Sequence, residues 1–98
     1  MTAKMTSHLE MIVGHLNAPY GRVLSTADLA FALRSGSVAG IGSDLSRALL
    51  MSLFVECPPQ SILLAALQVG GTWLTVRSLY QETVANGMQR AKAWESAA

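Results

Sequence analysis

A run of twenty residues without a charge, Cys57 to Val76, constrains this chain more than any other feature. Read from Cys57 to Gln81 it is CPPQSILLAALQVGGTWLTVRSLYQ, with Arg77 as its first charged side chain. Pro58 and Pro59 end whatever precedes them, because proline lacks the amide donor and restricts the residue before it. Pro59 also suits the first turn of a new helix. Beyond it Ile62, Ala66, Val69, Trp73, Val76 and Tyr80 recur at spacings of four, three, four, three and four. That is an apolar seam along one side of a helix, near the 3.5-residue repeat of helix pairs. A second row, Leu63, Leu67 and Leu74, widens the apolar face.

Gly70 and Gly71 interrupt the seam. Each glycine costs about 1 kcal/mol relative to alanine inside a helix, so the pair needs a reason. Close approach of a neighbouring backbone is one, and a kink or break is the other. The run also approaches membrane-spanning length. Two prolines, Gln60, Gln68, the glycine pair, Thr72 and Thr75 shorten its unambiguous apolar part, and no basic cluster flanks it. A buried helix is the favoured reading over a transmembrane one.

The chain has 98 residues, one domain at most. It is 51% hydrophobic and only 13% charged, too few charges to coat a small monomer comfortably. Self-association, or a permanent protein partner, hides such a surplus most simply. A net charge of +1 gives no field to attract nucleic acid or acidic lipid. The first ten residues, MTAKMTSHLE, lack the apolar core of a signal peptide. The lone Cys57 excludes an internal disulfide and fits a reducing compartment. The expectation is a cytoplasmic, bacterial-type protein.

In chain order, residues 4–17 predict a short amphipathic helix with Met5, Leu9, Ile12, Val13 and Leu16 on one face. Ser25 and Asp28 predict a capped helix start, with Leu29, Ala32 and Leu33 inward and a stop near Ser35-Gly36. The small, glycine-rich segment from Ser35 to Gly42 follows. Ser43 is the next expected N-cap, with Asp44 at the positive end of the helix dipole. That helix runs to about Glu56 and is apolar nearly all round. After the central stretch Val84, Met88, Ala91 and Trp94 continue an apolar side, and Asn86-Gly87 marks an end or a loosening. Unbroken from Pro59 to Trp94, the helix would be about 50 Å long at about 1.5 Å per residue.

Catalytic or ligand-binding chemistry is hard to assemble. His8 and His15 share a face but lie two turns apart, too far to bind one metal together. Cys57 stands before a helix N-terminus, which would lower a thiol pKa. No histidine is near it in sequence, and a buried thiol is the simpler reading. Gly36, Gly40 and Gly42 are neither preceded by a strand nor followed by a phosphate-loop lysine. Asp28–Leu33 and Ser43–Leu50 have the outline of a helix-turn-helix. Its connection, Ser35 to Gly42, is long, and Arg47 is the only cation on the reading helix. No metal, cofactor or small-molecule substrate is indicated.

One local resemblance adds to this. Ser78-Leu79-Tyr80-Gln81-Glu82-Thr83, with Pro59-Gln60 and Ala65-Ala66-Leu67-Gln68 upstream, resembles a segment of the RebB-like small subunits of bacterial R-bodies. It covers about the last forty residues with a gap, leaves residues 1–56 without a counterpart, and has a shorter alanine-rich continuation. The resemblance implies a cytoplasmic structural subunit that polymerises into a coiled ribbon, without catalytic residues.

These readings give an all-α chain of three or four helices, in a bundle or an oligomeric assembly. Residues 1–42 hold short helices and a glycine-rich loop, 43–56 a helix, and 59–95 a long, kinkable C-terminal helix. The expected function is a non-enzymatic subunit that self-assembles or docks on a partner. A small DNA-binding regulator and a membrane-associated subunit are the alternatives. The candidate interface is Ile62, Ala66, Val69, Gly70, Trp73, Val76 and Tyr80. An ordinary intramolecular core would use the same residues.

Overall fold

Local chemistry at the helix ends sets the architecture. A computed structural model describes residues 8–19, 21, 24–41, 44–87, 90, 92 and 94, with Asp44 and Leu45 described by backbone alone. Five helices are defined there: α1 (His8–Asn17), α2 (Thr26–Ser35), α3 (Asp44–Glu56), α4 (Pro59–Gln68) and α5 (Trp73–Ala85). No strand occurs among the described residues. The all-α class stands as expected. The count of three or four helices and the single long C-terminal helix are corrected: α4 and α5 are separate helices bent by 120°.

The break is built from two complementary caps. Gly70 adopts φ +91, a left-handed conformation that side chains with a Cβ disfavour. Gly71 N–H then reaches Ala66 O at 2.8 Å and Gly70 N–H reaches Leu67 O at 3.4 Å. These two bonds close α4 as a Schellman motif and satisfy carbonyls that would otherwise be orphaned. Thr72 immediately starts α5. Thr75 N–H donates to its hydroxyl at 3.4 Å, and Thr72 N–H donates to Thr75 Oγ1 at 2.9 Å, a reciprocal capping box.

The end of α2 packs into the elbow so formed. A Cβ at position 71 would lie 2.5 Å from Leu33 O, so the backbone of the elbow touches the last turn of α2. Gly36, which closes α2 through Gly36 N–H to Ala32 O at 2.8 Å, also lies against α5, where its Cβ position is 3.1 Å from Thr75 O and 3.3 Å from Ser78 Cβ. Ser78 Oγ donates to Gly36 O at 3.1 Å, and Val38 N–H donates to Glu82 Oε1 at 3.1 Å. Both reasons for the glycine pair therefore operate, one at each residue. Gly70 supplies the break and Gly71 the close approach.

The remaining elements close around this joint. At the start of α2, Ser25 Oγ accepts from Asp28 N–H at 3.0 Å, as its position in the sequence indicates. In α1, Ile12, Val13 and Leu16 face inward. Asn17 holds the following turn: Asn17 Oδ1 accepts from Leu24 N–H at 2.9 Å while its amide donates to Leu24 O. Helix α1 lies mainly against α4 and also against α2 and α3, whereas α2 lies against α1, α4 and α5. Leu29, Leu33, Leu49, Leu50, Leu53 and Ile62 are among the fully buried side chains. A radius of gyration of 12.7 Å is that of a globule of this length, about 13 Å, rather than of a rod.

Candidate interaction surface

The seam read from the sequence folds inward. Ile62, Ala66 and Val76 are fully buried and Tyr80 nearly so, while Val69 and Trp73 are half-buried. Gly70 is exposed, with nothing closer to its Cβ position than Arg34 Cδ at 3.8 Å. The structure brings these residues together as an intramolecular core, with the elbow turning the α4 and α5 parts of the seam towards the same interior. No open face is made from them in the single chain.

What remains outside is the opposite side of the same segment. Helix α4 contains no charged residue. Ile62, Ala65 and Ala66 point inward, while Leu64 is 46% exposed and Leu67 55% exposed on the outer side. Leu74, in the first turn of α5, is 72% exposed. A helix apolar on both sides is ordinarily covered on both, and single scattered apolar residues would not require comment. Here Leu64 and Leu67 share a helix that lacks any charge. Leu67 and Leu74 belong to the row that widens the apolar face in the sequence. Leu64 lies outside both rows, one turn from the exposed, uncharged Gln60 and Gln68 on the outer side of α4.

Chemistry elsewhere is sparse. Cys57 is half-buried, and its thiol pKa is pushed up, first by burial and then by the negative charge of Glu56. That is the reverse of the lowering a helix N-terminus would give, and it keeps the sulfur protonated and a poor nucleophile. His15 Nε2 lies 3.2 Å from Glu56 Oε1, with both side chains largely in solvent. No group of three or more His, Cys, Asp or Glu able to hold a metal occurs among the described residues. In the glycine-rich segment, Gly36 is buried against α5, while Gly40 is exposed with the Phe31 ring beside its Cβ position. Gly42 and Ser43 lie outside the described residues, as do Met5 and Met88.

The two segments with a helix-turn-helix outline do form helices, α2 and α3. Helix α2 packs chiefly on α5, α1 and α4 rather than on α3. Arg47 is half-buried, with its Nε inside the protein and unpaired among the described residues. Among the described residues no single helix is long and apolar enough to cross a membrane; α4 and α5 pass such a test only together, across their 120° bend.

Among the described residues, fold and surface define five packed helices, of which the charge-free α4 leaves one side exposed. No protein-family model matches the chain, and neither a curated protein nor a solved structure matches it significantly.

Proposed function

We propose that this chain is a non-enzymatic helical subunit that self-associates through the outer face of α4. The observation that carries the reading is α4 itself, free of charge, with Leu64 and Leu67 exposed on an outer side whose only polar residues are the uncharged Gln60 and Gln68. A second copy is the partner that suits this face. A charge-free strip offers no electrostatic code by which to select a different protein, whereas a two-fold contact sets leucines against leucines. The low charge of the whole chain, 13%, supports the same conclusion.

The RebB-like resemblance refines this proposal to a bacterial, cytoplasmic subunit of a protein ribbon. The DNA-binding alternative draws less support, because α2 and α3 are not packed as a pair and Arg47 is partly withdrawn from solvent. A membrane-associated subunit would have to use the bent pair α4–α5, whose inner face already serves the core.

Light scattering coupled to size exclusion, on protein prepared without detergent, tests the reading. The native chain is expected to run as a dimer or larger species. The double variant Leu64→Lys/Leu67→Lys is expected to run as a monomer with unchanged helical circular dichroism. A native chain that stays monomeric at high concentration refutes the proposal, as does a double variant that associates like the native chain.

A further inference from the structure

The exposed row of α4 has the same residues at its two ends. Gln60, Leu64 and Gln68 follow one another at intervals of four, and all three are exposed. Leu67, also exposed, lies one turn beyond Leu64. Rows at this interval are the ridges along which two helices most commonly pack. A carboxamide carries donors and acceptors alike, so a glutamine is complementary to another glutamine, as a charged side chain is not to its own copy. The carboxamides of Gln60 and Gln68 make no hydrogen bond among the described residues.

The ends of α4 add a second, independent observation. Pro58 at its N-cap supplies no side-chain hydrogen bond, its first turn holds no acid and its last turn no base. The helix dipole, positive at the N-terminus and negative at the C-terminus, is therefore not offset by any side chain of α4. A second α4 laid antiparallel sets opposite ends of the two dipoles together. A parallel one sets like ends together.

We propose that two copies of the chain pair antiparallel through α4 about a two-fold axis at Leu64. Leu64 then meets the partner's Leu64, and Gln60 exchanges amide hydrogen bonds with the partner's Gln68. By symmetry Gln68 does the same with the partner's Gln60, so the leucine contact has one amide pair on each side. This inference rests on the self-association reading and adds orientation and register to it. The glutamines fix the register, because a shift by one turn along the row sets each Leu64 against a carboxamide and leaves that polar group without its partner.

Charge substitution in the full chain tests the orientation, with association followed by sedimentation and folding by circular dichroism. Gln60→Glu/Gln68→Lys sets opposite charges together at both amide positions of an antiparallel pair. It is expected to associate at least as tightly as the native chain, and less tightly as salt is added. Gln60→Glu/Gln68→Glu sets like charges together and is expected to lose about tenfold or more in affinity. In a parallel pair both variants would oppose like charges, so equal losses overturn the proposal. Cysteine pairing covers the case in which the charged variants do not fold. In a Cys57→Ala background, chains carrying Gln60→Cys are mixed with chains carrying Gln68→Cys under mild oxidation. Disulfides are expected between the two kinds of chain. They are not expected between two Gln60→Cys chains, whose substituted positions stand about 12 Å apart along the axis, beyond the reach of about 7 Å between Cα atoms. A native chain that associates but gives only like-with-like disulfides, or none, keeps self-association and overturns the antiparallel register. A native chain that stays monomeric overturns both.

Discussion

Gly71→Ala is the sharpest perturbation of the elbow. The new methyl carbon would sit 2.5 Å from Leu33 O, 3.2 Å from Leu33 C and 2.9 Å from Thr75 Oγ1. Ordinary carbon–oxygen approach is about 3.3 Å or more, so the overlap with Leu33 O is about 0.8 Å. The obstacle is backbone in the last turn of α2, and Thr75 Oγ1 is itself engaged with Thr72 N–H and Thr72 O. Neither yields by rotating a free side chain. The elbow must move off α2, at a cost of about 1–3 kcal/mol by analogy with overpacked cores. At about 4–8 °C per kcal/mol for a domain of this size, the midpoint of thermal unfolding should fall by about 8–16 °C for a 2 kcal/mol loss. Gly70→Ala is the control for conformation without collision. Its nearest neighbour would be Arg34 Cδ at 3.8 Å, but its φ of +91 remains strained. A loss of about 1–2 kcal/mol is expected there. Thermal and urea unfolding followed by circular dichroism measure both. A Gly71→Ala protein as stable as the native one would refute the close approach of elbow and α2. A larger loss at Gly70 than at Gly71 would show that backbone conformation, not contact, dominates the joint.

Three further outcomes are expected. Gly14→Ala, inside α1 with nothing within 4 Å of its Cβ position, should stabilise the protein by about 0.5–1 kcal/mol; a loss in urea unfolding would show that α1 packs differently. Glu82→Ala should cost about 1–3 kcal/mol by leaving Val38 N–H without its acceptor. Glu82→Gln, which keeps an acceptor oxygen, should cost clearly less, and equal losses would remove Glu82 from that role. For Cys57, a folded-state pKa raised above the unfolded value means the protonated thiol favours the folded state. Its stabilising contribution is fully present below the unfolded value, about 8.5, and is lost as pH rises through the higher folded value. Alkylation at mildly alkaline pH should be slower in the folded chain than in urea. Cys57→Ala should flatten the alkaline decline in stability, and an unchanged decline would assign it to other groups.

Much of the fold is legible where a residue's own chemistry fixes the backbone. Ser25 caps α2 by its hydroxyl, Gly36 ends it, and Pro58-Pro59 separate α3 from α4. Asn86 closes α5 as its position before Gly87 suggests. The straightness of the segment after Pro59 was not legible, and the reason is physical. Periodicity records which side of each turn meets apolar surroundings. It does not record whether successive turns share an axis. Ile62 and Ala66 in α4 and Val76 and Tyr80 in α5 all face the core, so the seam spacing survives a 120° change of direction. Thr72-x-x-Thr75 is also a fainter start signal than a pair ending in Glu or Gln, although its bonds here are complete.

The same ambiguity moved the candidate surface. A seam on a straight helix would leave one apolar face for a partner, whereas a seam bent around α2 is consumed by the fold. Apolar residues beyond what the core accepts then stand on the other side, at Leu64, Leu67 and Leu74. Gly71 decides between these cases, because only a residue without a Cβ lets the turn close against Leu33 O. The pairing of that glycine with a particular carbonyl is a long-range fact, invisible in local spacing. Once it is made, the inward set is the core and the outward leucines are left exposed.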